Sequence, residues 1–321
     1  ATKCMVGGEY DNRENVKKIA NLRLEIANLL GHKTYADHVL QRRMAENTGN
    51  VYELLNKLLD AYKPAAVKEY ADIQAYANKN GAYFKVQSWD WSYYSEKLKA
   101  EKFNLNDEML KPYFELERVK QGIFWLSNKL YGLNFKENPN IPVYHPEVKA
   151  YEVTDNKGKF VSVLYTDYHP RDGKRAGAWM SSTKDQWMEG KKDSRPHIIN
   201  VMNFTRPTST KPALLTFDEV TTMLHEFGHA LHGMLARSTY QSLSGTSVYR
   251  DFVELPSQIM ENWGVEKEFL DQFAVHYETG EKMPAELVQK IKDADNYNIG
   301  SFTLRQLSFG LLDMKWHTLD K

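Results

Sequence analysis

A helix that must be buried, yet carries two histidines and a glutamate, constrains this chain more than any other stretch. Thr216-Phe217-Asp218-Glu219 reads as a capping box, in which the Thr oxygen and the Glu carboxylate satisfy the first free N–H groups of a helix. Val220, Met223, Leu224, Phe227, Ala230, Leu231, Met234 and Leu235 then recur at helical spacing, so the segment is amphipathic and largely buried. Within it stands His225-Glu226-Phe227-Gly228-His229. Histidines at i and i+4 share a helix face with Cβ atoms about 6 Å apart. Both rings can therefore reach one ion at bond lengths of about 2.0–2.1 Å. Glu226, next to the first histidine, is directed to hold a water at that ion, the arrangement of a metal-dependent peptide hydrolase. Burying these groups unpartnered is costly, and a zinc ion would relieve that cost. The alternative is two core histidines, each bonded to a carbonyl.

A catalytic zinc requires a third protein ligand and one open position. His232 shares the face but lies about 10 Å along the axis from His225 at 1.5 Å per residue, too far for one ion. It is expected to be structural, or to support a ligand. The stretch from Arg250 to Trp263 offers Asp251, Glu254 and Glu261 ahead of or within a second helical run. Spacing alone does not choose among them.

Apart from that site, composition mainly excludes. Lys plus Arg equals Asp plus Glu at 42 each, so no global charge points to nucleic acid or an acidic membrane. Cys4 is the one cysteine, which rules out an intramolecular disulfide and a thiolate metal cluster. No 18-residue apolar run is present to span a membrane. With 321 residues and 42% hydrophobic content the chain can bury a substantial core.

Taken in order, the chain is helical to about residue 80. One apolar stripe runs from Val16 to Leu29, and a second from Val51 to Tyr62 reaches Pro64, where a kink or restart is expected. Asn80-Gly81 is a stop signal. The aromatic run Trp89-Asp90-Trp91-Ser92-Tyr93-Tyr94 is expected to form a packing corner between helices, and Tyr113 to Gly132 reads as another helix. The texture changes at Asn138-Pro139-Asn140. Strands are expected at 148–153, 160–165, 178–181 and 198–204, with Asn156-Lys157-Gly158 as a hairpin turn. Such a sheet could pair its edge with an extended peptide, or merely cover the helix. Helices are expected again at 265–277, 284–291 and 301–316.

The stretch around the two histidines resembles the thimet oligopeptidase and peptidyl-dipeptidase family of zinc metallopeptidases. The resemblance rests on His225 to His229, Ser244-Gly245-Thr246, Arg250 to Glu254 and Pro256-Ser257-Gln258, with the correct gap between the motifs. Trp89-Asp90-Trp91 with Tyr93-Tyr94, Val143 to Pro146, Asp167-Tyr168, Arg171, Gly177 to Met180 and Asn200 to Phe204 extend it over nearly the whole chain, and favour the peptidyl-dipeptidase branch.

It implies a mainly α, zincin-like fold with a small antiparallel or mixed sheet, prolate and with a deep cleft. It places metal ligands on His225, His229 and Glu254 and a general base on Glu226, with one Zn²⁺ per chain. The implied protein is a cytoplasmic monomer that removes C-terminal dipeptides from oligopeptides, without a nucleic-acid or membrane partner. An oligo-endopeptidase of the same family, or a non-catalytic helical interaction module, are the competing readings. Residues 1–137 would line the cleft and 138–321 form the zinc-binding region. Members of the family extend beyond both ends, so the chain is expected to be a central piece. Gln258, Glu261 and Asp251 are candidates to orient the histidine rings.

Overall fold

A computed structural model describes Met5 and residues 7–321; Cys4 lies outside the described residues. The protein is mainly α with one small mixed sheet. Its helices begin with α1 (Arg13–Leu29), α2 (Tyr35–Leu40), α3 (Thr48–Lys79) and α4 (Trp91–Phe103), followed by α5 (Asp107–Leu110) and α6 (Leu116–Tyr131). Strands β1 (Asn134–Glu137), β2 (Lys149–Thr154), β3 (Phe160–Asp167), β4 (Trp179–Lys184), β5 (Trp187–Glu189), β6 (Lys192–Ser194) and β7 (His197–Val201) come next. Helices α7 (Phe217–Met234), α8 (Leu255–Glu261), α9 (Lys267–Leu270), α10 (Ala285–Ala294) and α11 (Ile299–His317) complete the order. No helix among the described residues is long and apolar enough to cross a membrane.

Contacts divide the chain into two compact units. One runs to Leu98 and resumes at Asn296–Lys321, and the other is Lys99–Asp295. In the first, α3 passes straight through Pro64 instead of restarting there. Pro64 removes one donor, but both it and Asp60, whose carbonyl loses that bond, lie on the exposed side of the helix. The opposite side of α3 is held by α11. The Glu69 carboxylate accepts from Gly300 N at 2.9 Å and Ser301 N at 2.7 Å, covering free donors at the start of α11. Gly300 permits this approach, since a Cβ there would lie 2.6 Å from the Ala66 nitrogen. The aromatic run divides its work. Trp91 stacks on Tyr70 with ring centroids 6.1 Å apart, whereas Trp89 stays 79% exposed and is no packing corner.

The second unit contains the sheet, in the order β1-β2-β3-β7-β4. Only the β3–β7 pair is parallel; the other pairs are antiparallel. β1 and the short β5–β6 hairpin were not legible as strands, being brief and polar. The core lies between α6, the sheet and α7, with Phe114, Ile123, Leu164, Ile198, Met223 and Phe227 essentially inaccessible. The 265–277 segment does not form one helix. Helix α9 ends at Leu270, and the chain turns so that Val275 bridges Lys282. Burial of Phe269, Leu270, Phe273 and Ala274 against the core overrides local helical preference there.

A charge cluster pins the loop between β3 and β4. Asp167, 2% exposed, accepts two hydrogen bonds from Arg171, one from Lys174 at 2.9 Å and one from the Tyr144 hydroxyl at 2.8 Å. Lys174 Nζ also donates to the carbonyls of Asp167, His169 and Met202. Burial pushes the Asp167 carboxyl up, but the Arg171, Lys174 and Tyr144 hydrogen bonds outweigh it and bring it down to about 2. Since the folded chain binds this proton less readily than the unfolded chain, the stabilisation is complete above the ordinary value of 3.8 and is lost as pH falls towards 2. Asp167→Asn leaves Lys174 buried without its counter-charge and is expected to cost about 3–5 kcal/mol. Urea unfolding at pH 7 measures this, and an unchanged midpoint would refute it.

Candidate metal centre

Helix α7 starts as its sequence dictates. Thr216 accepts from Glu219 N at 3.1 Å, and the Glu219 carboxylate accepts from Thr216 N at 2.8 Å. Its other end is capped from a distance by Arg195, whose guanidinium donates to the carbonyls of Met234 and Ala236. A cation there also complements the negative end of the helix dipole. On one side, Ile198 of β7 and Met180 of β4 close against Gly233, where a Cβ would meet them at 2.7 and 2.6 Å. Asn200, fully buried on β7, donates from Nδ2 to the Glu226 carbonyl at 2.9 Å, fixing the helix on the sheet.

The third ligand arrives through a second close approach. A Cβ on Gly228 would lie 2.6 Å from both the Pro256 oxygen and the Ser257 Cα, so only glycine lets α8 press this near. Glu254 sits at the N-cap of α8. Its Oε2 lies 3.2 Å from His225 Nε2 and 3.1 Å from His229 Nε2. A tetrahedral ion with bonds of about 2.0–2.2 Å holds its ligand atoms about 3.3–3.5 Å apart, close to this spacing. Among the described residues, the group of His, Cys, Asp and Glu side chains able to hold a metal ion is His225, His229 and Glu254. Two imidazole nitrogens and one carboxylate oxygen suit a divalent ion of intermediate softness. Of the three acids left open by spacing, the packing of α7 against α8 thus brings Glu254 to both histidines.

The surrounding groups set the state of each ligand. His225 Nδ1 lies 2.6 Å from Glu261 Oε1, which holds the ring so that Nε2 presents its lone pair. Glu261 thus lies outside the candidate ligand group, against the far nitrogen of His225. Burial pushes the His229 imidazole down, against the pull of Glu254, and so favours its neutral form. His232 stays outside the group, its ring packed against Phe252 at 6.3 Å. Glu226 is 8% exposed. Burial raises its carboxyl above the ordinary range and nearby Glu254 adds to this, while His225 and the Met180 backbone N–H act against it.

With this geometry in place, comparison with known proteins is decisive. The model of peptidase family M3 matches residues 2–321. This chain belongs to peptidase family M3. The chain is 41% identical over 312 residues to the dipeptidyl carboxypeptidase of Escherichia coli strain K12, covering 97% of this chain and 46% of that protein. It is 42% identical over 312 residues to oligopeptidase A of Salmonella typhimurium, again covering 97% and 46%. Saccharolysin of Saccharomyces cerevisiae is 37% identical over 312 residues, covering 92% and 44%. The chain spans somewhat less than half the length of these relatives. M3 membership implies a metal ion, and the His225, His229 and Glu254 group is where the described residues offer ligands for one.

Asn200, Ser257 and Gly228 all stand in motifs of this M3 chain that are visible in the sequence, but their contacts at the site are not. Gly228 alone left a local signal, since a glycine inside a helix marks a close backbone approach. The other two act through space.

Proposed function

We propose that this chain holds the metal centre of a zinc peptidase that releases dipeptides from the C-terminus of oligopeptides. The observation that carries the reading is the convergence of both histidine Nε2 atoms on one Glu254 oxygen, with the buried Glu226 on the same helix. His225, His229 and Glu254 would hold the ion. When bound, zinc supplies Lewis acidity and lowers the pKa of water towards about 7. Glu226 accepts a proton from the attacking water and returns it to the departing amine. Its raised carboxyl suits both halves of that exchange, because a base nearer neutrality is also a competent acid. His225 is kept in place by Glu261 through the reaction.

The substrate would lie along β4, an edge of the sheet. Met180 on that strand points its N–H at the Glu226 carboxylate, so a peptide paired there would run beside the base. Main-chain pairing holds a peptide regardless of its side chains, which suits an enzyme acting on mixed oligopeptides.

Exo-action is favoured by the Leu243-to-Ser247 and Trp89-to-Tyr94 stretches, which resemble the peptidyl-dipeptidase branch, and by the name of the E. coli relative. A second reading, an oligo-endopeptidase, has comparable support in the 42% identity to oligopeptidase A. Mass spectrometry of products from an N-blocked oligopeptide, with and without a zinc chelator, separates them. Chelator-sensitive loss of a C-terminal dipeptide is the expected result, and internal cuts would assign the endopeptidase. Cleavage that persists after complete zinc removal would overturn both. With substrate held uncleaved by a Glu226→Gln chain, amide exchange in β4 is expected to slow.

A further inference from the structure

Glu254 is the most exposed of the three candidate ligands. Its side chain is 50% exposed and has three rotatable bonds, while both histidines are fixed by the helix that carries them. Holding such a side chain in one rotamer costs conformational entropy. Something must restrain it for Oε2 to rest at 3.1 and 3.2 Å from the two histidines.

The restraint is Ser257. This residue is fully buried, one turn into α8. Its hydroxyl lies 2.9 Å from Glu254 Oε2 and 2.8 Å from the Glu254 carbonyl oxygen. The carboxylate oxygen that faces the histidines is thus the same one that faces Ser257. Ser257 in turn cannot drift, because its Cα is pressed against Gly228, between the two histidines in the sequence of α7. The carboxylate, the hydroxyl and the histidine-bearing helix therefore form one closed chain of contacts.

We propose that Ser257 is a positioning residue for the metal centre. Its hydroxyl pre-sets the Glu254 carboxylate for the ion, with Gly228 fixing where that hydroxyl stands. This rests on the metal-centre reading above and adds to it a residue that touches neither the ion nor the substrate. The hydroxyl carries a single proton. The competing role for this serine is to serve only the carbonyl three residues back, a common local bond at a helix start. In that case it would support folding and leave the ion's affinity alone.

The two roles separate on measurement. Zinc affinity of the full chain and of Ser257→Ala is read by competition against a chromogenic chelator, and the unfolding midpoint of each is read with zinc removed. Pre-setting predicts a zinc Kd raised about 10–100-fold, the usual loss when a group orienting a ligand is removed. It also predicts a nearly unchanged metal-free midpoint, and peptidase activity that returns as zinc is raised to saturation. Equal zinc affinities in the two chains would overturn the proposal while leaving the metal centre intact. So would a weakened affinity matched by an equivalent loss of metal-free stability. If the unaltered chain takes up no zinc, the metal-centre reading falls and this inference falls with it.

Discussion

Glu226→Gln is expected to leave zinc bound and lower peptide turnover about 10²–10⁴-fold, the contribution of a positioned general acid or base. The amide matches the carboxylate in shape, so packing around Glu226 should persist. The proposed ligand atoms belong to His225, His229 and Glu254, so the zinc content should persist as well. What disappears is a group that can hold a proton during the attack on the carbonyl and release it to the amine. Metal analysis combined with initial rates at saturating peptide tests this. A near-normal rate with zinc in place would sink the assignment of Glu226 as base. Parallel loss of zinc and rate would move Glu226 into the ligand set.

Glu254→Ala is expected to empty the site. Apparent binding energies of about 10–16 kcal/mol for zinc held by four protein ligands give on the order of 3–4 kcal/mol per ligand. Removing one should therefore weaken zinc binding roughly 10²–10³-fold, at about 1.4 kcal/mol per tenfold change. The two histidines would remain 5.0 Å apart between ring centroids, fixed by their helix and not by the ion. The metal-free fold should be little disturbed, because the Glu254 side chain is half exposed. Equilibrium dialysis against buffered zinc reads the affinity, and circular dichroism of the metal-free chain reads the fold. Unchanged zinc affinity would exclude Glu254 as a ligand and return the choice to Asp251 or another acid.

Much of the fold could be read from residues alone, and its exceptions share a cause. The capping box at Thr216, the stop at Asn80-Gly81 and the turn at 156–158 are local signals, and each is found where expected. Pro64 did not restart its helix, because it and Asp60 lie on the exposed side of α3. Residues 265–277 failed as a helix because their aromatic side chains are claimed by the core. In both cases the outcome depends on whether a residue faces solvent or core in the folded chain.

The candidate site divides along the same line. The sequence by itself determined that His225, Glu226 and His229 share one turn of a buried helix. Helical periodicity fixes neighbours at i and i+4 wherever that helix is placed. It also left Asp251, Glu254 and Glu261 as equal claimants for the third position until a family resemblance chose among them. Only the tertiary structure decided the matter physically. Glycine at 228 lets α8 close on α7, bringing Glu254 to both histidines and Glu261 to the far nitrogen of His225. It likewise placed Met180 beside Glu226 and Ser257 beneath the Glu254 carboxylate. A backbone period carries information over one or two turns. The distance between two helices is set by the bulk of the side chains where they cross, and here that bulk is a single absent methyl group.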